Sequence, residues 1–243
     1  MKTKNVVLGV FATLLVAGTL VVGAWASEQP SKHECKFLEI HLTDSLERQF
    51  VSVDEMRNLV RNSGLNPVGM TMKEVSCHAI EKCLEKHDMI RDAQCYKLPN
   101  GGIRIKLRQR VPMFLVVNHD GRFYVDTDRK VMPVRSTIDV DVPVIKGAVS
   151  RRAAVEEYYD FSKWLVNNDY WSGRVDYVQV NNPKYLVINQ KGVSSTIVLG
   201  ELNGYQRKMN KLQKLYTKGF DQLGYKPYKE YDLRFEGQVV GRY

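Results

Sequence analysis

Apolar and polar positions alternate differently along three stretches of the chain. Residues 6–26 run VVLGVFATLLVAGTLVVGAWA, unbroken by any charge. At about 1.5 Å per residue this run makes a helix of roughly 30 Å, the thickness of a bilayer core. From residue 37 the apolar runs shorten. Residues 37–42 (FLEIHL) read as a strand. Ser52 with Glu55 forms a capping box that opens a short helix to Asn62, ended by Gly64. A second box, Thr71 with Glu74, predicts a longer helix to His87, with Met72, Val75, Ala79, Ile80, Cys83 and Leu84 at helical spacing. Strands follow at 90–98 and 103–107 around Pro99-Asn100-Gly101-Gly102. In the second of these, Ile103, Ile105 and Leu107 alternate with Arg104, Lys106 and Arg108, the period of a half-buried strand.

Beyond Pro112 the texture changes. Residues 113–117 and 122–125 are short strands around the turn Asn118-His119-Asp120-Gly121. Residues 151–168 predict one helix with Tyr158, Phe161, Trp164 and Leu165 on its apolar face. Strands at 175–180, 185–188 and 193–199 precede an amphipathic helix over 205–220. Met209, Leu212, Leu215, Tyr216 and Phe220 form its inner side, and Arg207, Lys208, Lys211, Lys214 and Lys218 project from the other. Residues 231–240 close the pattern as one or two strands. The fold class is therefore α+β. It divides into a tail (1–5), a single transmembrane helix (6–26), a polar linker (27–36), a strand–helix–helix–strand–strand unit (37–110) and a mixed β-domain with flanking helices (111–243).

Charge orients the apolar run. Lys2 and Lys4 precede it and Glu28 follows, so the positive-inside bias puts the tail in the cytoplasm and the rest of the chain outside. Ala24-Trp25-Ala26 resembles a signal-peptide cleavage site, but a signal's apolar region spans only about 7–15 residues. The longer run reads as a retained anchor. Both readings export the remainder.

A hydrophobic content of 44% with 26% charged residues is that of a globular chain. The net charge of +9 would raise nucleic acid as a partner in the cytoplasm. Outside it, the candidates are anionic headgroups, acidic envelope polymers, acidic protein surfaces, or simply solvent. Cys35, Cys77, Cys83 and Cys95 lie where disulfides can form. Six residues of helix separate Cys77 from Cys83 by about 9 Å, beyond disulfide reach. The other pairings stay open, as does no bond at all.

Candidate chemistry is sparse. None of His33, His41, His78, His87 and His119 sits in a nucleophile motif, and G-x-S-x-G, S-x-x-K and H-E-x-x-H do not occur. Cys83 with His87, four apart on a helix, is the sharpest metal candidate. Its second ligand pair is missing, and Cys83 reads better as core. The adjacent Glu156 and Glu157 point to different helix faces. No catalytic residue, cofactor, metal or small-molecule substrate is expected.

The order of elements resembles the FtsQ/DivIB cell-division family. Phe50-Val51-Ser52-Val53-Asp54-Glu55 is similar to the lead-in to the first helix of that family's POTRA domain. Ile80-Glu81, Leu84, His87, Ile90 and Ala93 to Tyr96-Lys97 resemble its second helix and next strand. Arg110-Val111-Pro112 resembles the hinge. Phe123-Tyr124-Val125-Asp126 and Pro143-Val144-Ile145-Lys146-Gly147 resemble the start of its β-domain. Leu199-Gly200, Lys208 and Tyr231-Asp232-Leu233-Arg234-Phe235 resemble its end. The style is that of members from the Bacteroides group. One departure is Arg129, which stands near where the family's turn after the aspartate usually carries glycine.

The resemblance implies a POTRA domain with β-α-α-β-β order, then a β-domain, in a non-enzymatic divisome scaffold. It further implies an inner-membrane protein, largely periplasmic and septal, that binds FtsB-like and FtsL-like partners and links them to septal peptidoglycan synthesis, without nucleic acid. Carried onto this chain, partner binding by strand addition falls on Leu233, Arg234, Phe235, Gln238, Val239 and Val240, beside Lys208 and Lys211. A POTRA-bearing element of outer-membrane translocation would need a barrel of roughly ten-residue alternating strands, which 151–168 and 205–220 interrupt. An anchored envelope enzyme would need a catalytic constellation.

Overall fold

The structure, a computed structural model, describes residues 33–43, 49–135, 140–220 and 228–243. Its contacts separate into two units between Gln109 and Arg110. The apolar run 6–26 lies outside the described residues, as do the tail and most of the expected linker. Among the described residues no helix is long and apolar enough to cross a membrane.

In the first unit β1 (Phe37–Leu42), α1 (Val53–Asn62), α2 (Cys77–Glu85), β2 (Ile90–Lys97) and β3 (Gly102–Gln109) follow in that order. β3 is the central strand, parallel to β1 and antiparallel to β2. The alternation in β3 puts Ile103, Ile105 and Leu107 inside, and it continues to Gln109, 1% exposed. The Gln109 carboxamide oxygen accepts from the backbone N–H of Phe50 (2.6 Å) and Val51 (3.0 Å), fastening the approach to α1. Ser52 caps α1 as expected, its hydroxyl accepting from Glu55 N at 3.1 Å.

The second helix is shorter than its pattern suggests. Thr71 and Glu74 do bond, hydroxyl to carboxylate at 2.7 Å, but they close a turn. α2 begins at Cys77, where the Ser76 hydroxyl accepts from Ala79 N. Met72 and Val75 are buried from that turn and not from the helix. Nor is the stretch up to Lys36 a free linker in its described part. Cys35 is 2% exposed, its N–H donates to Met70 O, and its carbonyl accepts from Gly69 N.

The second unit is a nine-stranded mixed sheet. β4 (Pro112–Asn118), β5 (Gly121–Asp126), β6 (Val131–Pro133), β7 (Val144–Gly147), β8 (Val175–Asn182), β9 (Tyr185–Gln190), β10 (Thr196–Gly200), β11 (Glu230–Asp232) and β12 (Val240–Arg242) lie in the order β12-β11-β10-β9-β8-β7-β4-β5-β6. Its core gathers Phe114, Phe161, Trp171, Ile188, Leu212 and Tyr231. With the first unit's helices and sheet, this makes an α+β protein.

Two expected elements are changed by packing. The single helix over 151–168 is broken into α3 (Arg151–Glu156) and α4 (Tyr159–Val166). Tyr158 and Tyr159 at the break are both buried. The helix over 205–220 is α-helical as α5 (Tyr205–Lys214) and continues as a π-turn, Leu215–Phe220. There Tyr216 packs edge-on against Tyr231, with ring centroids 5.2 Å apart. The closing stretch, expected as one or two strands, is two short ones separated by residues 233–239.

The Arg129 departure also has a physical form. Arg129 adopts φ 62°, the one left-handed non-glycine among the described residues. The buried Asp126 holds the turn, its Oδ1 accepting from the N–H of Asp128 (2.8 Å) and Lys130 (2.7 Å). The Arg129 guanidinium lies 3.9 Å from the Tyr159 ring and donates to Val155 O at 3.0 Å.

Candidate functional site

The end of the large sheet is assembled from two three-residue strands. β11 runs parallel to β10, pairing Thr196 with Glu230 and Val198 with Asp232. β12 returns antiparallel, pairing Glu230 with Arg242, Tyr231 with Gly241 and Asp232 with Val240. β12 is the last strand in the order, so its outer backbone edge faces no strand among the described residues.

Such short strands need help, and the side chains supply it. The Asp232 side chain is fully shielded from solvent. Its oxygens accept from Arg234 Nε (2.9 Å) and Nη2 (2.6 Å), the Arg234 backbone N–H (3.1 Å) and Arg242 Nη2 (3.4 Å). The Arg234 hydrogen bonds hold this carboxyl below the usual carboxylate range, against the opposing effect of burial. Arg242 also reaches Glu230 across the ladder at 2.7 Å. The carboxylate thus ties Arg234, two residues past β11, to the last residue of β12.

Aromatic rings cover one face. A Cβ on Gly241 would lie 2.4 Å from the Tyr228 ring, so that ring occupies the place of a side chain. Tyr243 packs on the same ring at 4.7 Å.

The basic face of α5 proves to be a set of tethers. Lys208 Nζ donates to Leu199 O (3.2 Å), Glu201 O (2.9 Å) and Asn203 Oδ1 (3.1 Å). Burial, with Arg207 and Lys211 nearby, lowers its pKa. Lys211 Nζ donates to Gln238 O at 3.1 Å and Phe235 O at 3.5 Å, pinning residues 233–239 against the helix. Arg207 pairs with Glu236 at 3.2 Å. Between helix and loop lies a groove of about 350 Å³ lined by Arg207, Lys208, Lys211, Arg234 and Phe235.

The residues expected to bind a partner are therefore not equivalent. Val240 is on the edge strand. Phe235 is 44% exposed at the groove, with Arg234 and Gln238 also at the surface. Val239 packs in part against the core. Leu233, at 1% exposure, is a core residue with no surface to offer. Sequence reasoning passed over Asp232, Arg242, Tyr228 and Gly241. The opposed charges of Glu230 and Arg242 were the one available signal, and only once the register is known.

No group of three metal-ligating side chains forms among the described residues. Cys83 is half-buried and bonds the Ser63 hydroxyl at 3.1 Å, while His87 Nε2 lies 3.3 Å from Glu55. A second cavity of about 390 Å³ is lined by Tyr170, Arg174, Gln190, Ser195 and Tyr216. In it Gln190 Nε2 donates to Ser195 Oγ (2.9 Å) and Tyr216 Oη (3.1 Å), and burial pushes the Tyr216 phenol up.

Comparison with known proteins yields two family matches. The family model for the FtsQ/DivIB C-terminal-related domain matches residues 111–242, and that for the POTRA-like domain matches residues 33–108. No curated protein matches the chain.

Proposed function

Because the chain belongs to the FtsQ/DivIB family of cell-division proteins, we propose that it is a non-enzymatic scaffold of the divisome, held in the bacterial inner membrane by residues 6–26. Its bulk lies in the periplasm at the septum, where it gathers FtsB-like and FtsL-like partners and couples them to septal peptidoglycan synthesis. The partner segment adds as a further strand outside β12. It is read by Phe235, Arg234, Gln238 and Val240, with Lys208 and Lys211 holding the receiving loop in place.

The observation that supports this reading is the outer edge of β12, unpaired among the described residues, beside a half-exposed Phe235. An open edge with apolar neighbours is an aggregation hazard unless something covers it. Strand addition covers it, with main-chain hydrogen bonds supplying affinity and alternate side chains supplying specificity. Retention in the membrane raises the effective concentration of partners that share it.

Phe235→Glu is the test. Capture of the FtsB-like partner by the purified chain should be lost while the thermal midpoint is unchanged. Undiminished capture refutes the assigned edge. In cells, depletion should give filaments without septa, whereas intact septation with outer-membrane defects would refute the division role.

A further inference from the structure

Two of the four thiols meet across a helix–sheet interface. α2 lies on the sheet of the first unit with Ile80 and Leu84 buried, 1% and 0% exposed. Cys77 and Glu81 are one turn apart on that helix and so share a stripe beside those residues. Cys95 lies on β2, the edge strand of the three-stranded sheet, with its side chain buried. Glu81 marks the register between the two elements, because its Oε1 accepts the outward backbone N–H of Cys95 at 2.7 Å. Cys77, one turn earlier on the same helix stripe, is thereby set beside Cys95. The other two thiols are engaged elsewhere. Cys35 Sγ donates to Phe37 O at 3.4 Å, and Cys83 Sγ bonds Ser63 Oγ.

We propose that Cys77 and Cys95 are an oxidation site, and that a disulfide between them staples the start of α2 to edge strand β2 in the exported protein. The location outside the cytoplasm rests on the function proposed above; the pairing itself rests on the helix–strand register.

The two thiols have unequal chemistry. Burial pushes the Cys95 thiol up, and the neighbouring Cys77 and the charge of Glu81 act in the same direction. Cys77 is half-exposed, in the first turn of a nine-residue helix, where an oxidant can reach it. Cys77 is therefore the attacking sulfur. As a thiolate it attacks one sulfur of a disulfide-bearing thiol oxidant, whose S–S bond breaks, and the departing sulfur takes up the Cys77 proton. Cys95 then attacks Cys77 Sγ in this mixed disulfide. The second oxidant sulfur leaves and takes the Cys95 proton. Two protein thiols become one disulfide, one oxidant disulfide becomes two thiols, and no proton is gained or lost.

The test uses the full chain, purified in detergent, equilibrated with glutathione disulfide, alkylated, and mapped by non-reducing peptide mass spectrometry. The expected product is a joined peptide pair containing Cys77 and Cys95, two hydrogens lighter than the sum of the reduced peptides, with Cys35 and Cys83 alkylated. Dithiothreitol should restore alkylation of both cysteines and lower the thermal midpoint of the wild type, but leave the midpoint of Cys77→Ser where it was. Alkylation of Cys77 and Cys95 after equilibration overturns the pairing, and so does a bond from either to Cys35 or Cys83. Mapping the chain as made in cells separates the premises. A bond that forms with glutathione disulfide but is missing from the cellular protein supports the pairing and refutes the exported location.

Discussion

Replacing Asp232 by asparagine should loosen the end of the large sheet without disturbing its centre. The carboxylate is fully shielded from solvent and accepts four donors from Arg234 and Arg242. Asparagine fills the same volume but offers one acceptor oxygen, and its amide turns two hydrogens toward guanidinium donors. Removing one partner from a wholly buried pair costs about 3–5 kcal/mol. Here the arginine side chains are 39% and 53% exposed, so water takes up what they lose, and the cost falls to about 2 kcal/mol, that of a charged hydrogen-bond pair. For a unit of this size that corresponds to a drop of about 8 °C in its thermal midpoint. Peptide-resolved hydrogen exchange should show faster exchange at β11 and β12, with β4, β7 and β8 retaining protection. The pH dependence follows from the depressed carboxyl. Its contribution is complete above the unfolded pKa of about 4 and is lost as pH falls through the lower folded value. Asp232→Asn should therefore flatten the acid limb of stability. A midpoint within about 1 °C of wild type, with unchanged exchange at β12, would refute the argument that this carboxylate stitches the edge.

Substitutions at three further positions test the scaffold. Gln109→Leu strands the buried N–H groups of Phe50 and Val51 and should destabilise the first unit by about 3 kcal/mol in urea unfolding; an unchanged midpoint would show the bonds to be dispensable. Gly147→Ala places a Cβ 2.1 Å from Val180 O at a φ of 117°, so the second unit should lose about 3 kcal/mol, and a loss below about 1 would mean that β7 and β8 separate freely. At Arg129, with φ 62°, glycine should be near neutral because about 1 kcal/mol of backbone relief offsets the lost guanidinium contacts. Alanine, which keeps the strain and loses the contacts, should be clearly worse; equal midpoints for the two variants would contradict that division.

What was legible in the sequence is what local patterning controls. Ser52 with Glu55 predicts α1 because a cap is a contact between residues three apart. Ile103, Ile105 and Leu107 predict β3 because a strand displays its burial every second residue. The same period reaches Gln109, and a polar side chain in an inward phase was the missed sign of a structural hydrogen bond. Thr71 with Glu74 misleads because the same reciprocal bond closes a turn as readily as it opens a helix, and Ser76 caps α2 instead. The break between Glu156 and Tyr159 and the π-turn at Leu215–Phe220 are set by rings that must reach distant partners, Tyr216 to Tyr231 among them, so no local rule announces them. At the candidate site, the sequence named a stretch of chain but not how its residues are placed. Phe235 is a surface residue, Leu233 is core, and Lys208 and Lys211 hold carbonyl oxygens that only the folded chain brings to them.

The parallel pairing of β10 with β11 carries a consequence for the order of events in folding. A parallel neighbour cannot be reached through a tight turn, so residues 201–229 must carry the chain back along the sheet before Glu230 meets Thr196. That crossover pays its loop-closure entropy before any ladder bond rewards it. Among the described residues β12 pairs only with β11 and must wait for it. The free edge is thus among the last parts of the unit to exist. A partner that recognises it recognises a completed fold, and partly folded chains are passed over for want of a surface to bind.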